Sequence, residues 1–360
     1  MVKAMVKKVL LFPAMLLESV RIKVLAAEMG EVVIAAATEP DEAGLALFPD
    51  RRILPHVTDA SFAEALKKLL VSEEISHIYS PHERCYHVIS IVLVQAGLAV
   101  TLSNGMQQFH AALVHDGLRA VAAPLHARYA QRTMLRPIMP LDDLVAFLHV
   151  ITPIAGQSHF LKLATLGALS ADFPVGDFVE IGVAAGRSAI FLALLMRFHQ
   201  LGVLVAIDPW INSEIKQNIN SLDSKMLVDN SVWDRGVNTL ITNILPFAHH
   251  DVAFLRQTSV DAHNAYRTTR VLGTAPLDPV TTQGKIAVLH VDGNHVEEKA
   301  AEDLALWTPY LVAGAWLIVD DYGWAYGDGP KRATDAWILQ HRDRVAEHFV
   351  VDRAMFIKLH

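Results

Sequence analysis

Apolar residues in this chain come in short, nearly unbroken runs, each followed by a stretch with helical spacing. Residues 9–12 and 32–37 are almost entirely Val, Ile, Leu, Ala and Phe. Such runs mark strands covered on both faces, as in parallel sheets, rather than strands with one wet face. Between them, residues 16–29 carry apolar side chains at helical intervals and stop at Gly30, a C-terminal helix signal. The same rhythm predicts strands over 53–57, 75–79 and 100–102, and helices over 61–70 and 86–96. Repeated βα units imply a parallel sheet with helices on both faces. Pro13-Ala14-Met15 stands after the first strand, where a dinucleotide-binding unit has G-x-G. Residues 1–105 are therefore expected to be an auxiliary α/β domain, for oligomerisation or substrate recognition.

The pattern then changes. Residues 106–172 show helical spacing over 141–150 and 160–169, punctuated by Pro137, Pro140 and Pro153, and read as a helical connector or lid. From residue 173 to 360 a second βα series runs. Strands are predicted over 178–182, 203–207, 253–257, 286–291 and 315–319, and helices over 188–198, 298–308 and 330–341. A terminal hairpin is predicted from 349–351 and 355–359 around Asp352-Arg353. The expected fold is α/β: a smaller N-terminal Rossmann-like domain, then a mostly parallel seven-stranded Rossmann-like sheet ending in an antiparallel hairpin.

Composition narrows the function classes. With 360 residues the chain has room for two domains. Its 52% hydrophobic and 19% charged residues provide a large core and exclude disorder. Mean hydropathy is +0.30, yet no apolar stretch reaches the ~20 residues of a membrane span. That hydropathy belongs to buried strands. A formal charge of −7 argues against a nucleic-acid partner, which needs a basic face. Cys85 is the single cysteine, so no intrachain disulfide forms. Residues 1–17 superficially resemble a signal peptide, but Glu18, Arg21 and Lys23 follow at once and residues 8–12 read as a first strand entering a core; the expected compartment is cytoplasmic. His82, Cys85 and His87 are read as structural rather than metal-binding, and His249-His250 as loop surface.

In the second half, acids fall at the carboxyl ends of successive strands, where open α/β sheets bind ligands. Glu180 closes one predicted strand and leads into Gly182-Val183-Ala184-Ala185-Gly186-Arg187-Ser188. Gly182 and Gly186 permit a tight turn and a close approach, and Ser188 offers a hydroxyl and a helix cap. Asp208 ends the next strand, where an acid can accept hydrogen bonds from ribose hydroxyls. Glycine turn plus ribose acid fits NAD, FAD or S-adenosylmethionine (SAM). E-x-G-x-x-x-G resembles the class I SAM-dependent methyltransferases, whereas dinucleotide enzymes prefer G-x-G-x-x-G.

A second cluster lies further on. His290-Val291-Asp292-Gly293-Asn294-His295 is followed, 28 residues after Asp292, by Asp320-Asp321-Tyr322-Gly323-Trp324. If the strands before them are neighbours, three carboxylates converge, and like charges so close call for a cation. Oxygen ligands favour Mg²⁺. His295 is placed to take a hydroxyl proton near neutral pH. Tyr322 and Trp324 are either core residues or a platform for a substrate ring.

Residues 176–188, Ile207-Asp208, 291–295 with Asp303-Leu304 and Trp307, and 319–324 together resemble the macrocin-type O-methyltransferases of macrolide deoxysugars. The resemblance covers about residues 150–360. It implies a class I methyltransferase fold with SAM as methyl donor and Mg²⁺ as metal. Matching positions make Asp292, Asp320 and Asp321 the metal ligands and His295 the general base. They also set Glu180, Gly182, Gly186, Ser188, Asp208 and Asp292 at the cofactor. Asn294 stands where an acid is common in that family, and Asp320 where some sugar enzymes have Glu. The expected function is Mg²⁺-dependent O-methylation of a small-molecule hydroxyl, on a sugar of a glycosylated natural product, by a homo-oligomer. Two other readings are a metal-dependent hydroxylase-like enzyme of the same fold and a non-catalytic SAM-binding module. An iron oxygenase wants two histidines and one carboxylate, whereas this cluster offers three carboxylates and one histidine.

Overall fold

The first apolar runs assemble into a five-stranded parallel sheet in the computed structural model, which describes residues 7–103, 107–210, 230–248, 250–324 and 327–360. In chain order its elements are β1 (Lys8–Leu11), α1 (Leu16–Met29), β2 (Val32–Ala37), β3 (Arg51–Ile53), α2 (Phe62–Ser72), β4 (His77–Tyr79), α3 (Glu83–Ala96) and β5 (Thr101–Ser103). The strand order is β3-β2-β1-β4-β5, and every pairing is parallel. Alternate side chains feed opposite faces. Leu10 and Ile34 join one buried cluster with Phe62, Leu66 and Ile89, and Leu11, Ala35 and Phe48 join another. With both faces covered, the continuous apolar runs are explained. The third strand forms over 51–53 rather than 53–57, on the sheet edge. Pro55 lacks the N–H a ladder needs, and an edge strand tolerates the exposed Arg51. Cys85 is buried among apolar residues, and burial pushes its thiol up to about 11.

Two compact units comprise residues 1–121 and 122–360. The helix α4 (Gln107–Tyr129) spans the division. It was invisible in the pattern because Pro124 stands inside it, where a proline normally breaks a helix.

In the second unit, α5 (Leu141–Val150) and α6 (Phe160–Leu169) form over the expected ranges. Residues 162–169 of α6 are all buried, and α6 packs against α5 and against α7 (Arg187–Phe198). The remaining elements are β6 (Asp177–Ile181), β7 (Leu204–Ile207), α8 (Asn230–Ile244), β8 (Val252–Leu255), α9 (Ser259–Thr268), β9 (Val271–Leu272), β10 (Val280–Thr281), β11 (Ile286–Val291), α10 (Glu297–Trp307), β12 (Leu311–Val319), α11 (Gly329–Gln340), β13 (Val345–Val351) and β14 (Ala354–Leu359). The main sheet runs β13-β14-β12-β11-β6-β7-β8. Only β14 is antiparallel to its neighbours, so the sheet is mostly parallel with a terminal hairpin. All six residues of β11 are buried. Each buried Leu, Ile or Val is worth roughly 1.5–3 kcal/mol, which fixes the sheet centre. The helices α8 and α9 and the short β9–β10 ladder were not among the predicted elements. For α9 a cap was legible, because Thr258 accepts a hydrogen bond from the Asp261 N–H. Among the described residues no helix is long and apolar enough to cross a membrane.

Asp303, on α10, is buried at 6% exposure. Burial pushes its carboxyl up to about 6, against the lowering effect of a hydrogen bond with Ser259. The folded state thus favours the protonated form. That stabilisation is complete below about pH 4, the unfolded value, and is lost as pH rises through about 6. Asp303→Asn should therefore raise Tm relative to wild type more at pH 8 than at pH 5. Thermal unfolding at the two pH values checks this, and an equal difference at both would refute it.

Candidate active site

The sheet register assembles the site. In the parallel ladders β6–β11–β12, His290 is registered beside Glu180 on one side and Ile318 on the other. Each ladder continues one residue past the strand. The Asp292 N–H donates to the Ile181 carbonyl at 2.8 Å, Asp320 N–H to Val291 at 2.9 Å, and Asp208 N–H to Leu255 at 3.1 Å. The acids therefore leave the sheet together at its carboxyl edge, around the point where the chain reverses direction across the sheet.

The loop after β6 is shaped by protein contacts. Gly182 has φ +84°, and a Cβ there would lie 1.9 Å from the Asp292 carbonyl oxygen. The glycine thus admits the neighbouring loop. Gly186, at φ +95°, occupies the N-cap position of α7, where a Cβ would press on Leu240 at 2.7 Å. Ser188 is buried in the first turn of α7, so the cap position is Gly186 and not Ser188. Asp208 secures this loop. Its Oδ2 accepts from the Val183 and Ala184 N–H groups, each at 3.0 Å, and its Oδ1 from the Trp210 N–H at 2.9 Å. Burial still raises its carboxyl above the ordinary range, opposed by these three amides. Ala184, Trp210 and Asp321 all have positive φ, at 47°, 46° and 54°. Each lies just beyond the carboxyl end of β6, β7 or β12. Left-handed backbone costs an ordinary residue about 1 kcal/mol or more, and such strain concentrates at functional sites.

Behind the edge lies a buried polar cluster. Glu180 and His290 are fully buried, with His290 Nδ1 2.9 Å from Glu180 Oε1. Lys162 from α6 is 1% exposed. Its Nζ donates to Ser158 Oγ at 3.0 Å and to Asp320 Oδ2, and lies 3.3 Å from His290 Nε2. Burial disfavours the ammonium, but the charges of Asp320, Asp292 and Glu180 outweigh it and hold Lys162 above its ordinary value. Asp320 is held far below the usual carboxylate range because Lys162 and His290 outweigh its burial. Asp292 moves the other way, raised well above its ordinary value by burial and by the like charge of Asp320. Breaking one side of such a buried pair typically costs about 3–5 kcal/mol. The segment before Lys162 is braced by Arg187, whose Nε donates to the Ile154 carbonyl at 2.7 Å.

In front of this cluster, His295 Nε2 lies 2.6 Å from Asp321 Oδ2. The other ring nitrogen, Nδ1, is buried with no hydrogen-bond partner among the described residues. Trp324 packs edge-on against the imidazole, with centroids 4.4 Å apart. A Cβ on Gly329 would lie 2.1 Å from the His295 carbonyl, so glycine at the start of α11 lets that helix press on the His295 loop. Asn294 closes the turn before α10 by accepting the Val296 N–H at 2.9 Å. Tyr322 packs on the core and donates its hydroxyl to Asp335 at 2.7 Å. His250 is exposed, 3.0 Å from Asp278; His249 lies outside the described residues.

Asp292, Asp320, Asp321 and His295 are thus brought together, with Glu180 just behind them. Asp208 sits two strands along the same edge. Lys162, which the motifs did not single out, completes the set. Its signal was a lone charge inside Phe160–Leu169, an otherwise apolar helix, where a buried lysine requires a partner. The donor set suits a hard divalent cation, because carboxylate oxygens crowd one edge with fewer cations than acids. Glu180 Oε2, buried and without a hydrogen-bond partner among the described residues, leaves an acceptor suited to the cationic methionyl part of SAM.

Residues 179–322 match the methyltransferase domain family. No curated protein matches the chain. Among solved structures, the O-methyltransferase NovP is 18% identical, covering 69% of this chain and 99% of that one, with a TM-score of 0.36. CalS11, a TDP-rhamnose 3'-O-methyltransferase of calicheamicin biosynthesis, is 14% identical over 66% and 93%, with a TM-score of 0.38. MycE of the mycinamycin pathway, in complex with Mg and SAH, is 14% identical over 62% and 54%, with a TM-score of 0.35. The methyltransferase domain match thus falls on the central strands of the seven-stranded sheet, whose carboxyl edge carries the acids.

Proposed function

We propose that the chain is a Mg²⁺-dependent O-methyltransferase whose substrate is a small polyhydroxylated molecule, a sugar of a glycosylated natural product. The observation that carries this reading is the His295–Asp321 pair, grouped with Asp292, in which the other imidazole nitrogen has no hydrogen-bond partner among the described residues. When bound, SAM supplies a methyl group that passes to the substrate oxygen, and Mg²⁺ supplies positive charge that favours loss of the hydroxyl proton.

The chain's own residues do the rest. Asp321 accepts the Nε2–H of His295, which assigns the proton to that nitrogen and leaves the Nδ1 lone pair to receive the hydroxyl proton. Trp324 holds the ring in place. Asp292, Asp320 and Asp321 are the carboxylates available to the metal. Asp208 orients the glycine loop and is the acid nearest a ribose, while Gly182, Gly186 and Ser188 shape the wall of the cofactor site. The −7 charge favours a small molecule over nucleic acid. The N-terminal unit is assigned to oligomerisation or substrate recognition, in a cytoplasmic homo-oligomer.

Three outcomes test this reading. His295→Gln should lower kcat by about 10²–10⁴-fold with SAM affinity unchanged; near-normal turnover would remove His295 as base. Asp208→Ala should weaken SAM binding at least about tenfold in isothermal titration, since the variant loses the anchor of the loop as well as the ribose acceptor. In a methylation screen over glycosides and catechols, activity should vanish with EDTA and return with Mg²⁺. Turnover that persists in chelator would exclude the metal.

A further inference from the structure

Two groups of ligand-type side chains meet at Asp292. His290, Asp292 and Asp320 form an inner group, and Asp292, His295 and Asp321 an outer one; within each, the candidate ligand atoms lie within 4.8 Å of one another. The two are not equivalent. The Lys162 ammonium is already in the inner group, bonded to Asp320, 3.3 Å from His290 and steadied by Ser158. It cannot withdraw easily, because α6 is buried from residue 162 to 169. Among the described residues no lysine or arginine forms an ion pair with Asp292 or Asp321; the partner of Asp321 is His295. An ammonium and a divalent cation on one carboxylate repel each other and compete for its oxygens.

We propose that Lys162 is a built-in cation that keeps Asp320 out of metal coordination, so that a divalent ion is held on the outer side by Asp292 and Asp321. The inference rests on the Mg²⁺-dependent reading above and refines its ligand set. With two protein carboxylates instead of three, more of the octahedron of a Mg²⁺ ion is left to water and substrate oxygens. That arrangement suits a substrate presenting two neighbouring hydroxyls. Lys162 acts as a positioning residue, because it sets where the metal sits without touching the reacting atoms.

Mn²⁺ is the probe. Crystals of the full chain soaked in Mn²⁺ should give an anomalous peak within ligand distance of Asp292 and Asp321, with Lys162 still on Asp320. A peak on Asp320 with Lys162 displaced would overturn the inference and leave the metal-dependent reading standing. No peak at these carboxylates would overturn both. In solution, Lys162→Met removes the charge and frees Asp320, so the Kd for Mn²⁺, read by electron paramagnetic resonance of the free ion, should fall at least about tenfold. Lys162→Arg, which keeps the charge, should show no such gain. A folded Lys162→Met protein binding Mn²⁺ no more tightly than wild type would also overturn the inference. Should that variant fail to fold, the anomalous map of the wild type decides.

Discussion

Mutual repulsion among carboxylates gathered at one edge of a buried sheet is the constraint around which this structure is arranged. Parallel pairing of β6, β11 and β12 brings Glu180, Asp292, Asp320 and Asp321 together. Charges this close persist only when matched by cations or hydrogen bonds. Three of the four acids have a basic partner. Glu180 takes a histidine from the adjacent strand, Asp320 a buried lysine, and Asp321 the imidazole of His295. Among the described residues Asp292 has no such partner of its own, and it is the residue shared by both candidate metal groups.

The scaffold around these acids carries costs that folding alone would not require. Positive φ at Ala184, Trp210 and Asp321 places ordinary side chains in left-handed backbone directly past three strand ends. Gly182 and Gly329 let loops approach within distances that no Cβ would tolerate. These contacts pin the loop after β6 and the start of α11 against the segment that carries Asp292 and His295.

Much of this was legible in the sequence. The strand and helix periods located α1, β2, α5, α6 and β11 to the residue, because each has a buried face or is buried throughout. The acids at strand ends were readable as a constellation because parallel strands all point the same way. The elements that escaped were α4, with a proline inside it, and the helices α8 and α9, while the edge strand β3 forms over 51–53 instead of the predicted 53–57. The two glycines of the loop after β6 were legible as necessary, but the collisions they avoid are with Asp292 and Leu240.

The sequence by itself determined the fold class, the seven-stranded sheet with its terminal hairpin, and which acids and which histidine gather at the carboxyl edge. Local periodicity and strand direction are properties of neighbouring residues, so a linear reading reaches them. Only the tertiary structure decided how the charges are partnered. Lys162 lies 158 residues from Asp320 along the chain, and no local pattern relates the two. Their meeting depends on α6 packing over the face of the sheet that carries Glu180 and His290. The same holds for the His295 ring, which meets Asp321 and Trp324 of the segment after β12.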